Sequence, residues 1–461
     1  MIGAMLPRPA GRPIGDELRR LAALAGPVVV AEVGWMTMGL VDTIMVGPLG
    51  PAAIGAVGLG GALFMALGVF GMGLLLGLDT LVSQAFGAGQ LAECRRWLVH
   101  GFALAALLTP PMMLAAWGAM GGLDRMRIHP DVVALTRPYL DAVVWSLPPL
   151  LCYAACRRYL QGVSVVRPVA FALVTANLLN AAANWALIYG RLGLPALGVR
   201  GAAWATVLSR LYMAAVLAAA VLLERHSAGA PPWRALLRVE LRRLARLAAL
   251  GFPAAVQITL EVGVFAAATA LAGRIDPVSL AAHQIALNVA GLVFMVPLGV
   301  ASAGAVLVGQ ALGARDPAGA ARAGWTALGA IAVVMAVVAV VFLTVPEVLL
   351  TVFTRDAAVV RLGTTLLAVA ALFQMFDGLQ VVATGVLRGA GDTRVPMAAN
   401  LAGHWLLGLP VGYALALSAG WGVVGLWIGL SVGLISVGIA LTAVWAWRTR
   451  ALVRGLAPEV G

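Results

Sequence analysis

The chain contains no lysine: all 31 of its basic residues are arginine. We read this as the codon habit of a GC-rich genome, although guanidinium groups also suit lipid phosphates. Charge of either sign is scarce, at 11% of 461 residues, which is too little to clothe a soluble protein of this length. The three cysteines, Cys94, Cys152 and Cys156, make no disulfide framework. Cys152 and Cys156 share a helix face but have no His or further Cys nearby, so they read as packing residues rather than metal ligands. The first twenty residues lack the apolar core of a signal peptide and read as an arm ahead of the first span. There is no nucleophile motif and no cluster of His or acids at metal spacing, so no catalytic residues are assigned, no cofactor is expected, and an enzyme is disfavoured.

Apolar residues are abundant: 62% of the chain, with a mean hydropathy of +0.98. Uncharged runs of about 20 residues recur throughout, the length that crosses a bilayer as a helix. Alternation at strand period is weak, which excludes a β-barrel. The fold class is therefore an all-α polytopic membrane protein. Twelve spans are marked near 22–46, 53–82, 97–119, 133–156, 167–189, 199–223, 246–272, 279–308, 323–345, 359–387, 395–418 and 421–446. The net charge of +12 could suggest nucleic acid, but the arginines lie in short loops between apolar spans. With both termini cytoplasmic, 22 arginines fall inside, 8 outside, and Arg210 within a span. That asymmetry obeys the positive-inside rule, and the expected partner of these loops is anionic lipid, with no nucleic acid.

The longest interruption, ERHSAGAPPWRALLRVELRRLAR (224–246), reads as a basic amphipathic helix on the inner membrane surface. It separates an N-terminal six-helix lobe (1–223) from a C-terminal one (246–461), with 224–245 as linker. The halves repeat at an offset of 226 residues: Pro27 matches Pro253, Thr43 Thr269, Gly47 Gly273, Pro51 Pro277, Gly73 Gly299, Gln84 Gln310 and Gly87 Gly313. Six spans per half keeps the orientation, so the axis should run along the membrane normal, with a substrate site between the halves. The acids do not repeat. Asp42 faces Ala268, Glu261 faces Trp35, and an offset of 227 pairs Asp377 with Leu150. Carboxylates that the scaffold does not duplicate are candidates for a site.

The tenth span, within LLAVAALFQMFDGLQVVATGVLRGAGDTRVP (366–396), is the most informative stretch. An acid at mid-bilayer costs about 2.5–3.5 kcal/mol on insertion scales, so Asp377 is a functional candidate by default. At 100° per residue, Gln374, Asp377, Gln380, Thr384 and Arg388 fall within about 60° of one line, which suggests a helix lining a hydrophilic cavity. Gln257 and Glu261 stand one turn apart in span seven. Asn177, Asn180 and Asn184 form a neutral polar stripe in span five, which could equally join helices. Trp35 and Phe265 are candidates for an adaptable apolar wall. Carboxylates and amides offer the hard oxygens that sodium takes, and a desolvated carboxylate can instead carry a proton. Glu32 is expected near the headgroups. Asp79 is expected to hydrogen-bond the turn after span two. Asp141, His283 and His404 read as satisfied polar residues.

Six stretches together resemble the multidrug and toxic compound extrusion (MATE) family: VDTIMVGPLGPAAIGAVGLG (41–60), LVSQAFGAG (81–89), NLLNAAANWALIYGRLGLPALGVRGAAWAT (177–206), LAAHQIALN (280–288), VGQALGARD (308–316) and LRGAGDT (387–393). The resemblance implies twelve helices in two pseudo-symmetric six-helix bundles. It also implies export of organic cations or other amphipathic small molecules in exchange for Na+ or H+ by alternating access. The NorM-like branch carries acids in helices one, seven and ten, matched here by Asp42, Glu261 and Asp377, which become the coupling-cation residues, with Na+ possible at Asp377 and Glu261. The DinF-like branch pairs Asn with Asp in helix five, whereas this chain has Asn180 and Asn184. A monomer of a bacterial inner membrane is expected. The rival within the superfamily is a flippase of lipid-linked precursors, which would need an arginine-rich cavity for pyrophosphate.

Overall fold

The computed structural model describes residues 14–123, 128–224 and 237–454. Among them are twelve helices long and apolar enough to cross a membrane: α1 Gly15–Leu49, α2 Pro51–Gly87, α3 Leu91–Gly122, α4 Pro130–Gly162, α5 Arg167–Tyr189, α6 Val199–Leu222, α7 Leu241–Ala272, α8 Pro277–Gly313, α9 Pro317–Thr344, α10 Ala357–Gly389, α11 Arg394–Ser418 and α12 Gly422–Leu452. The expected count and order hold; most of the helices run several residues past the hydropathy boundaries, while α5, α6 and α11 keep them to within a residue. Most of the expected surface helix in the linker lies outside the described residues, and residues 241–245 simply extend α7.

The chain groups into two compact units, one of residues 30–255 and one of 256–461 together with the segment before residue 30. The sequence placed the division in the linker; by packing it falls inside α1 and α7. Both cuts lie two residues past the repeat-related prolines, Pro27 and Pro253, which sit inside their helices. A proline there removes an i→i−4 hydrogen bond and bends the helix. The two halves of each such helix can then belong to different packing units.

Within each unit, small residues set the close helix contacts, as expected where lipid supplies no hydrophobic drive between helices. A Cβ on Gly385 or Gly389 of α10 would come within 2.3 Å of the Ala301 or Ala305 carbonyl oxygen of α8. A Cβ on Gly429 of α12 would lie 2.1 Å from the Gly412 nitrogen of α11. Two stretches of α11, Leu401–Gly408 and Ala414–Ser418, are wound as π-helix. Such wide turns re-aim side chains and recur at functional sites. Bulky side chains fill the interiors: Phe64, Tyr153, Leu147 and Leu150 in residues 30–255, and Trp427, Trp445 and Phe342 in the other unit.

Candidate ion and substrate sites

In the C-terminal unit, α7 and α10 bring two acids together. Gln257, one turn before Glu261, donates from Nε2 to Glu261 Oε2 at 3.2 Å. From α10, Gln380 Nε2 reaches Glu261 Oε1 at 3.4 Å and Asn400 Oδ1 of α11 at 3.5 Å. Asp377 sits one turn before Gln380, is buried, and lies within electrostatic reach of Glu261. No side chain among the described residues donates to it. Among the described residues, the oxygens Gln380 Oε1, Gln374 Oε1 and Thr384 Oγ1 are buried without partners, as is His404 Nε2. Buried polar atoms normally find partners, so this face of α10 carries acceptor capacity that the protein itself leaves unused.

The polar line on α10 is real but divided. Gln380 and Asp377 turn toward α7. Gln374 turns toward α9, where its Nε2 meets Met335 Sδ at 3.5 Å. Thr384 and Arg388 are buried further along the helix. Phe265 stands one turn beyond Glu261 on α7 and is half-buried. His283 has both ring nitrogens engaged: Trp427 Nε1 donates to Nδ1 at 2.9 Å, and Nε2 lies 3.0 Å from Thr269 Oγ1. That fixes it as a helix-joining residue.

The N-terminal unit centres on Asp42, also buried. Asn184 of α5 donates to Oδ1 at 2.7 Å, and Thr206 of α6 donates to Oδ2 at 3.0 Å. The same Asn184 nitrogen lies 3.1 Å from Asn180 Oδ1. Among the described residues, Asn184 Oδ1 has no partner. The asparagine stripe therefore splits: Asn180 and Asn184 serve Asp42, while Asn177 donates at 2.9 Å to the Gly34 carbonyl, joining α5 to α1. Trp35 stacks on Tyr153 with centroids 6.3 Å apart and planes 12° from parallel.

Glu32 is ion-paired with the buried Arg157 of α4. Three expectations about minor charges are corrected. Asp79 is fully buried and faces Arg158 at 3.5 Å rather than only its own turn. Arg157 and Arg158 were placed in a loop by their charge, but α4 continues to Gly162, so both are helical. Asp141 is exposed on the helix surface. Thr206 was missed, because one threonine in an apolar span carries no signal until α6 is known to pack beside Asp42.

Among the described residues no three or more His, Cys, Asp and Glu gather as a metal group. The C-terminal set is two carboxylates with side-chain amides, hard oxygens that suit an alkali cation or a proton rather than a soft metal.

A model of the MatE family matches residues 27–186 and 253–414, so both halves are covered. The probable multidrug resistance protein NorM of Mesorhizobium japonicum is 37% identical over 442 residues, covering 94% of this chain and 95% of that protein. The protein of the same name from Deinococcus radiodurans is 37% identical over 443 residues, covering 94% and 96%. Among solved structures, an outward-facing multidrug resistance MATE family transporter of the MOP superfamily superposes with a TM-score of 0.86 at 19% identity, covering 96% of this chain and 99% of that one. A eukaryotic MATE transporter superposes at 0.84 with 23% identity, covering 96% and 100%. At these identities the structural likeness speaks to the fold.

Proposed function

This chain belongs to the MatE family, and from that membership we propose that it is a multidrug efflux transporter exchanging amphipathic, mostly cationic small molecules for Na+ or H+. Asp377 and Glu261 bind the coupling cation. Asp42, held by Asn184 and Thr206, supplies the carboxylate of the N-terminal lobe. Gln257, Gln374, Gln380, Thr384, Asn180 and Asn184 offer polar contacts to substrate, with Trp35 and Phe265 as apolar surface. Asn177 is left as a joining residue. The chain acts as a monomer in a bacterial inner membrane with both termini cytoplasmic.

The observation that carries this reading is the acceptor-rich face of α10 beside Glu261. Like charges in a poorly solvated setting repel strongly. The buried Asp377, within electrostatic reach of the half-buried Glu261, is therefore a place where adding one positive charge is favourable. Na+, H+ and an organic ammonium group all bring that charge, but the site gains most from only one at a time. Competition between coupling ion and substrate then biases which conformation is populated, which is what alternating access requires. The flippase reading finds less support, since Arg157 and Arg158 face Glu32 and Asp79 rather than standing ready for pyrophosphate.

The test is efflux of a fluorescent organic cation from proteoliposomes, driven separately by a Na+ gradient and by a pH gradient. One gradient should drive efflux in wild type and fail in Asp377→Asn. Efflux that stays ion-dependent in that variant would refute the assignment.

A further inference from the structure

Arg210 is the one arginine that the charge pattern left inside a span, and it is buried on α6. Its Nη1 donates to Ser146 Oγ at 2.5 Å. Its guanidinium carbon lies 4.3 Å from the centroid of Phe64 and 5.7 Å from that of Trp35. No carboxylate among the described residues pairs with it within ion-pair distance. It lies one turn beyond Thr206, which holds Asp42, and Asp42 feels its charge. A cation over aromatic faces beside a buried carboxylate is the arrangement by which proteins recognise organic cations. Here the cation belongs to the protein.

The matching position of the other lobe carries no arginine. The Gly-Val-x-Gly that opens α6 at 198–201 recurs at 422–425 at the start of α12. Both final glycines seat against the helix before: a Cβ on Gly201 would lie 2.6 Å from the Leu187 oxygen, and one on Gly425 would lie 2.7 Å from the Leu415 carbonyl carbon. In that register Arg210 corresponds to Leu434, and Thr206 to Leu430. The arginine beside Asp42 is thus not duplicated at the matching position of the lobe that holds Glu261 and Asp377.

We propose that Arg210 is a specificity-determining residue, a resident cation that occupies the aromatic surface of Trp35 and Phe64 and screens Asp42 from external cations. This rests on the reading of Asp377 and Glu261 as the carboxylates that bind the coupling cation, and adds that the two lobes are unequal. The C-terminal lobe takes up the mobile cation, and the N-terminal carboxylate is already compensated. Replacing Arg210 with a neutral residue opens a second cation site in the N-terminal lobe.

The experiment is calorimetric titration of the purified full-length protein with tetraphenylphosphonium. Arg210→Gln should add a second binding component, or strengthen binding by about tenfold or more, the usual reach of one opposite charge beside a carboxylate. Adding Asp42→Asn to Arg210→Gln should abolish the gain, and Arg210→Lys should show none. A folded Arg210→Gln protein with unchanged stoichiometry and affinity overturns the proposal, as does a gain that survives Asp42→Asn. Should Arg210→Gln fail to fold, Arg210→Met keeps the packing over Phe64 without the charge and is read by the same outcomes. Wild-type binding that ignores Asp377→Asn would sink the C-terminal coupling site, while the Asp42-dependent gain would still report on Arg210.

Discussion

Replacing Thr206 with Val removes one hydroxyl from a site where its role can be isolated. Valine keeps the shape, so little packing is lost, but Asp42 Oδ2 loses the donor at 3.0 Å and stays buried. Interhelical hydrogen bonds in membrane proteins average about 0.6 kcal/mol, with a maximum near 1.7. A bond to a charged acceptor is worth about 1.5–3 kcal/mol, and the larger figure applies if Asp42 carries its charge in this setting. The expected cost is therefore about 2 kcal/mol, read from unfolding of the purified protein in detergent. The decisive comparison is a double-mutant cycle with Asp42→Asn, which isolates the pairwise part. Thr206→Val should cost well under 1 kcal/mol in the Asp42→Asn background, because a neutral amide oxygen accepts far more weakly. An equal cost in both backgrounds would show that Thr206 acts through packing and not through the carboxylate, and the description of the Asp42 site would fail.

Two other substitutions test the packing around the sites. Arg157→Met strands the Glu32 carboxylate in the interior and should destabilise the protein by about 3–5 kcal/mol, while Arg157→Met with Glu32→Met should recover most of that; a double variant as unstable as the single one contradicts the buried pair. Gly385→Val forces side-chain atoms into the space against Ala301, where even a Cβ would lie 2.3 Å from a carbonyl oxygen. It should sharply lower the yield of folded protein, whereas the same change at Gly329 of α9, where a Cβ meets nothing within 4 Å, should not. Equal yields from the two variants would contradict the close α8–α10 contact.

Much of this was legible in the chain. Apolar runs of bilayer length gave the twelve helices and their order, because hydrocarbon leaves the backbone no alternative to internal hydrogen bonding. The internal repeat, at an offset of 226 for Asp42 and Glu261 and 227 for Asp377, exposed these acids as departures from the scaffold. Helical periodicity aligned Gln380 with Asp377, and the structure brings both to Glu261. Periodicity alone could not say which neighbour each side chain of a stripe would face. Asn177 therefore turned out to join helices, and Gln374 meets Met335. Thr206 and Asn400 needed tertiary proximity before they meant anything. The ion pairs of Glu32 and Asp79 were missed for a related reason: their arginine partners were counted as loop charge, and only the continuation of α4 to Gly162 brings Arg157 and Arg158 alongside them. The cuts within α1 and α7 were also unreadable, although the prolines beside them were already paired by the repeat.

The central claim is that coupling ion and substrate compete for the carboxylates of α7 and α10. Displacement of a bound fluorescent cation from the purified protein by rising Na+ or by falling pH tests it most directly. In wild type, one of the two ions should displace the probe competitively, weakening its apparent affinity without changing the number of sites. In Asp377→Asn and in Glu261→Gln, that displacement should be lost or greatly reduced. Displacement that persists unchanged in the double variant, or a probe that ignores both ions in wild type, would contradict the account.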